Sequence, residues 1–162
     1  MTPNPYAPPK SEVADVVRGH VAPALWNANA AAAWSLLFSP AFGAFVHMKN
    51  WQALGEPAKA SAAKTWAIAT LVALGVVSVA AALLPDSQAL DGLSRIAMLA
   101  LLLSWYYTSG RPQVALIKER FGDQYPRRGW AKPLLLALAA LVCFVVVMVA
   151  IGVAFEALSN GR

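Results

Sequence analysis

The sequence predicts an all-α membrane protein with four hydrophobic helical segments, the first kinked or re-entrant at Pro40, and a cytoplasmic amphipathic helix. Three observations lead there. The 162 residues are 59% hydrophobic and only 13% charged, with a mean hydropathy of +0.54, whereas soluble domains carry about 25% charged residues. Several runs are long enough for a helix to cross a hydrocarbon core of about 30 Å, which takes roughly 20 apolar residues. The basic residues lie almost entirely between these runs. That distribution suits membrane topology and anionic headgroups better than the soluble basic face a nucleic-acid binder needs, so nucleic acid is not an expected partner despite the net charge of +5.

Residues 1–24 read as a proline-rich tail and a short amphipathic helix. Met1–Lys10, MTPNPYAPPK, holds four prolines and cannot form a helix or a packed core. Its polar start also lacks the apolar core of a signal peptide, so insertion is expected to rely on internal segments. Ser11 can cap a helix from Glu12 to about His20, with Glu12 and Asp15 at its dipole-positive end and Val13, Val16 and Val17 on one side. The Asn-Pro-Tyr-Ala-Pro-Pro leader resembles the N-terminal tail of small multi-pass inner-membrane proteins of Gram-negative bacteria, RDD-type proteins among them. The Arg-Asp-Asp signature of that family is not evident, and the resemblance implies no activity.

Residues 25–158 form a single expected transmembrane helical domain with segments 25–48, 65–84, 93–108 and 133–155, followed by a polar tail over 159–162. The first segment, LWNANAAAAWSLLFSPAFGAFVHM, has Asn27, Asn29, Ser35, Ser39 and His47 within 24 residues. Pro40 removes a backbone donor near its middle and Gly43 follows, so the helix must kink or break. It either spans with a kink or forms two half-helices shielded from lipid by other helices. Trp34, Phe38, Pro40, Gly43 and Trp51 form an aromatic and Pro-Gly stretch similar to that of a small bacterial membrane family, DUF2628, which implies no activity either.

Lys49–Lys64 is polar, with a turn at Gly55 and Pro57. Thr65–Leu84 is uncharged over twenty residues, starts at an interfacial Trp66, and carries Ala69, Ala73, Gly75 and Ser78 as small residues for close helix approach. Pro85–Gly92 has two aspartates and no basic residue, as an external loop should. Leu93–Thr108 begins near Arg95, expected to snorkel or pair with Asp91, and ends in Trp105, Tyr106 and Tyr107, read as an interfacial aromatic belt. Pro133–Phe155 is the strongest span.

Arg111–Lys132 lies between the last two spans and holds six of the thirteen Lys and Arg residues. Pro112 can start an amphipathic helix with Val114, Ile117 and Phe121 on one side, ended by Gly122. Positive loops resist translocation, so the segment is expected on the cytoplasmic side of a bacterial inner membrane. With four crossings, nine basic residues lie inside and four outside; with a re-entrant first segment the split becomes eleven to two. Segment length favours four crossings, and charge favours re-entry.

No constellation points to catalysis. There are no paired carboxylates in a span, no zinc motif, no phosphate-binding glycine loop and no nucleophile elbow. Cys143 stands alone. No catalytic, cofactor-binding or metal-binding residue is assigned, and no cofactor is expected. The candidate contacts are Arg127, Arg128, Trp130 and Lys132 for lipid headgroups, and Ser39, Pro40, Gly43 and His47 for a helix break or a path lining. The expected role is binding in the membrane, as an accessory, assembly or immunity-type protein, with lipids and a protein partner or a second copy as partners. The alternatives are an oligomeric channel or small-solute carrier, and an anionic-lipid-binding or lipid-modifying protein.

Overall fold

The computed structural model describes residues 22–84 and 87–160, which are helical apart from short connections. The proline-rich tail and the helix expected over 12–20 lie outside the described residues.

Helices α1 (Ala28–Phe38) and α2 (Pro40–Ala53) occupy the first apolar segment and its polar continuation. They are two helices because proline excludes the α conformation at the residue before it. Ser39 accordingly leaves the helix, at φ 93° and ψ 159°, and Pro40 restarts it at a first-turn position where no N–H is needed. The chain doubles back at this point. Ala31 packs on Phe42 and Val46, and Trp26, before α1, returns beside Asn50 near the end of α2. The segment expected to provide a fourth crossing is therefore a helical hairpin whose two ends lie together, with Leu36 and Leu37 exposed close to its tip.

A tight turn leads to α3 (Pro57–Leu83). Gly55, at φ +72°, lets the Gly55 and Glu56 amides donate back to the Gln52 and Trp51 carbonyls, which closes the end of α2. Trp51 of α2 then packs on Ala60 and Ala63 of α3. The hairpin lies against the polar first half of α3, and the apolar second half projects beyond it.

Helix α4 (Gln88–Trp105), capped by the Ser87 hydroxyl, runs through a π-helical turn, Tyr106–Gly110, into α5 (Arg111–Phe121) without interruption. The amphipathic helix expected to be separate is the end of this 34-residue helix. Pro112 does not break it because the turn before it is wide: the Arg111 amide donates to Tyr106, five residues back. The apolar side of α5 does not face lipid either, since Val114, Ile117 and Phe121 pack around Leu25 and Ala28.

After the loop at 122–130, α6 (Ala131–Asn160) carries the last apolar run. Pro57–Leu83, Gln88–Phe121 and Ala131–Leu158 are the three described helices long and apolar enough to cross a membrane. The core lies at one end of these helices, where α1, α2, the first half of α3, the end of α4, α5 and the loop pack together as a head. Leu25 fixes the start of α1 to that loop: its amide donates to Pro126 and its carbonyl accepts from Arg128. The chain thus enters the hairpin on the same side as the basic loop.

A non-glycine residue in the conformation of Ser39 carries strain on the order of 1–3 kcal/mol. Ser39→Gly should raise the stability of the detergent-solubilised protein by about 1 kcal/mol, and Ser39→Val should lower it by at least as much. Thermal unfolding followed by circular dichroism reads both; a destabilised glycine variant would show that the serine is not strained.

Candidate functional site at the head

The densest polar chemistry lies inside the head, on side chains from α2, α4 and α5. Asn50 makes the central connections. Its Oδ1 accepts from the Trp26 amide at 3.0 Å, and its Nδ2 donates to the Trp26 carbonyl at 2.9 Å and to Gln113 Oε1 at 3.3 Å. Gln113 Nε2 donates to the His47 carbonyl at 2.8 Å. Asn50, Gln113 and His47 are all buried, and a buried amide without partners would cost about 1–3 kcal/mol.

His47 Nε2 lies 3.0 Å from the Ala28 carbonyl. A carbonyl only accepts, so the proton is on Nε2, and Nδ1 is left as an acceptor. That Nδ1 has no partner, nor does the donor Nε1 of the buried Trp105, whose ring meets the His47 ring edge-on at 5.4 Å between centroids. Burial holds the His47 pKa down, from 6.5 to about 4, against a smaller upward effect of the bond to Ala28. Helix α2 is not among the three apolar spans, and the imidazole is neutral at neutral pH.

Glycine makes this packing possible. A Cβ on Gly43 would collide with the Ser35 hydroxyl and the Trp105 ring, so only glycine lets α2 approach α1 and α4 here. Ser35 returns its hydroxyl to the Ala31 carbonyl at 2.9 Å.

Of the sequence candidates, Pro40, Gly43 and His47 are buried in the head and Ser39 is partly buried at the hairpin tip. Arg127 pairs with Asp123 at 3.2 Å. Arg128 lies over the Trp26 ring, 4.7 Å from its centroid. Trp130 turns inward onto Phe42, with a centroid distance of 6.4 Å, beside Leu134 and Ala137. Lys132 is exposed in the first turn of α6. The structure thus joins Arg128 to Trp26, a residue the sequence did not single out, and separates Arg127 from it.

Two readings of the sequence change. Trp105 is fully buried against His47 rather than forming an interfacial belt, and Tyr107 is the strongly exposed ring of that trio. Arg95 and Asp91 are both exposed with no ion pair between them. Asn50 and Gln113 were missed. Asn50 follows His47 by three residues and so shares its helix face, a signal the sequence did contain; Gln113 lay within a segment dominated by its charges.

Among the described residues no group of three His, Cys, Asp or Glu side chains is placed to hold a metal ion. No protein family matches the chain, and no curated protein or solved structure matches it either. In the arrangement itself both the oxygen and the nitrogen of the Asn50 and Gln113 amides are hydrogen-bonded, and the histidine is neutral.

The depressed pKa of His47 has a testable consequence. At pH above about 6.5 both the folded and unfolded states carry a neutral imidazole. Between 6.5 and about 4 only the unfolded state takes up the proton, so stability falls with pH across that window, by a total of about 3 kcal/mol. Equilibrium unfolding at pH 7 and pH 4.5 should show the loss in the wild-type protein and a much smaller one in His47→Gln, with His20 common to both. An equal loss in both would assign the dependence to other groups.

Proposed function

We propose that this chain is an integral protein of the bacterial inner membrane that works without catalysis, by binding another protein within the bilayer. The observation that carries this reading is the bareness of the spans. In the most apolar eighteen-residue stretch of α6, with mean hydropathy 3.3, no residue is buried by the rest of the chain, and in the stretches of the other two long helices 6% are. A multi-span protein complete in itself would bury one face of each helix against its neighbours. Here the head fixes the spacing of the three helices at one end and leaves their sides open.

The reading places the basic loop 111–132 in the cytoplasm. Because Leu25 is bonded to that loop, the entry to the hairpin comes to the same side, and three crossings carry the end of α6 to the other. This is the eleven-to-two distribution of basic residues, the better of the two by the positive-inside rule. The channel alternative gains nothing from the head, where the Gly43 position is closed by Ser35 and Trp105.

Protein and lipid on the spans can be told apart by photo-cross-linking in native membranes. Probes would be placed at Val142, Val145 and Val149, which share one face of α6, and at Leu136 and Val147 on the opposite face. We expect a protein adduct of one defined mass, either a partner or a second copy, from one face only. Lipid adducts alone from every position would remove the proposal.

A further inference from the structure

We infer that Arg128 and Lys132, with the indole of Trp26 as a platform, form a binding site for the phosphate of an anionic phospholipid headgroup. The inference is independent of the proposed protein partner and rests on how the loop at 122–130 is built.

Two adjacent arginines in this loop have different surroundings. Arg127 is neutralised by Asp123 and lies over Tyr125, with 5.6 Å from its guanidinium carbon to the ring centroid. Arg128 has no carboxylate within ion-pair distance and no hydrogen bond from its guanidinium to a protein group among the described residues. Its side-chain partner among the described residues is the face of Trp26. Both halves of the stack are held by the backbone beneath them: the Arg128 amide donates to Leu25 at 2.8 Å, the Leu25 amide donates to Pro126 at 2.9 Å, and Trp26 Nε1 donates to Gly129 at 3.0 Å. Stacking occupies the flat face of a guanidinium and leaves its N–H edge free, the edge that donates in pairs to phosphate oxygens. Little side-chain freedom would be lost on binding.

Lys132 follows four residues later, exposed and without an ion pair among the described residues. It stands in the first turn of α6, where the positive end of the helix dipole adds to its charge instead of offsetting it. An anion would relieve this accumulation.

Depth selects the source of the anion. Trp130, between the two cations, packs on the apolar residues Phe42 and Leu134. From Leu135 to Phe155 α6 is apolar and, apart from Ala137 and Met148, exposed. The cations therefore mark the end of a span, at the level of lipid phosphates.

The full chain in mild detergent is titrated with short-chain phosphatidylglycerol, short-chain phosphatidylcholine or inorganic phosphate, and native mass spectrometry reads the bound fraction. We expect one phosphatidylglycerol per chain, preferred over phosphatidylcholine by at least about fivefold. Arg128→Ala should abolish the preference, Lys132→Ala should reduce it, and Arg111→Ala should leave it intact. Arg128→Lys preserves the loop charge that governs insertion and should still lose most of the preference, because an ammonium offers no paired edge. No preference in the wild type, or equal losses in Arg111→Ala and Arg128→Ala, would overturn the site in favour of a diffuse basic surface. Full preference in Arg128→Lys would overturn the stacked geometry, and displacement of the lipid by an equal concentration of inorganic phosphate would overturn the lipid assignment.

Discussion

The head depends on a single requirement, that the extended backbone at Leu25 and Trp26 find partners on both sides although it belongs to no helix and no sheet. A buried backbone amide or carbonyl left unpaired costs as much as a lost hydrogen bond. Leu25 is satisfied by the backbone of Pro126 and Arg128, and Trp26 by the side-chain amide of Asn50, which presents a donor and an acceptor together as a neighbouring strand would. One short stretch thus ties the entry of the chain to the loop before α6 on one side and to α2 on the other. Through Gln113 the same amide reaches α5. Four parts of the chain distant in sequence are connected by groups that all need each other.

The other features of the head follow from that convergence. The hairpin must turn sharply enough to return α2 to Trp26, and Pro40 imposes the break while Ser39 takes the strained conformation. The long helix must bring Gln113 under α2 and Val114, Ile117 and Phe121 under Leu25 on adjacent faces. The π-helical turn before Pro112 changes the rotational phase between Trp105, packed on His47, and Gln113, bonded to its carbonyl. A glycine at position 43 then allows the two hairpin helices and Trp105 to meet with no space for a side chain between them.

What the sequence revealed was the part governed by transfer to lipid. The uncharged runs identified the later spans because hydrophobic length is a local property, legible without knowing any neighbour. The break at Pro40 was legible for the same reason, since proline acts on its own backbone. The fate of the first segment was not, because length and charge gave opposite answers and the deciding bonds join residues 24 and about 100 positions apart. The amphipathic side of α5 was correctly seen as apolar, but its partner was taken to be lipid, whereas Leu25 and Ala28 cover it. Trp105 was assigned to an interface by its position at a span end, a rule that does not anticipate a histidine packed on its ring. Within the candidate lipid site the cations were visible as a cluster; which of them is neutralised by Asp123 and which rests on Trp26 is a matter of tertiary structure alone.

The contrast between head and spans bears on how the molecule divides its work. Hydrogen bonds among Asn50, Gln113, Trp26 and His47 are directional and saturable, so they fix one arrangement of the chain ends. The spans offer only apolar side chains to surroundings equally apolar, and in lipid such surfaces gain little by associating unless small residues permit close packing. Beyond the head the three helices bury little of one another, so the directional order in the described chain lies in the head. Within the head, His47 Nδ1 and Trp105 Nε1 are an acceptor and a donor that both lack partners while their rings touch. They are the two buried side-chain polar atoms without a partner among the described residues, and they lie where the hairpin meets the long helix Gln88–Phe121.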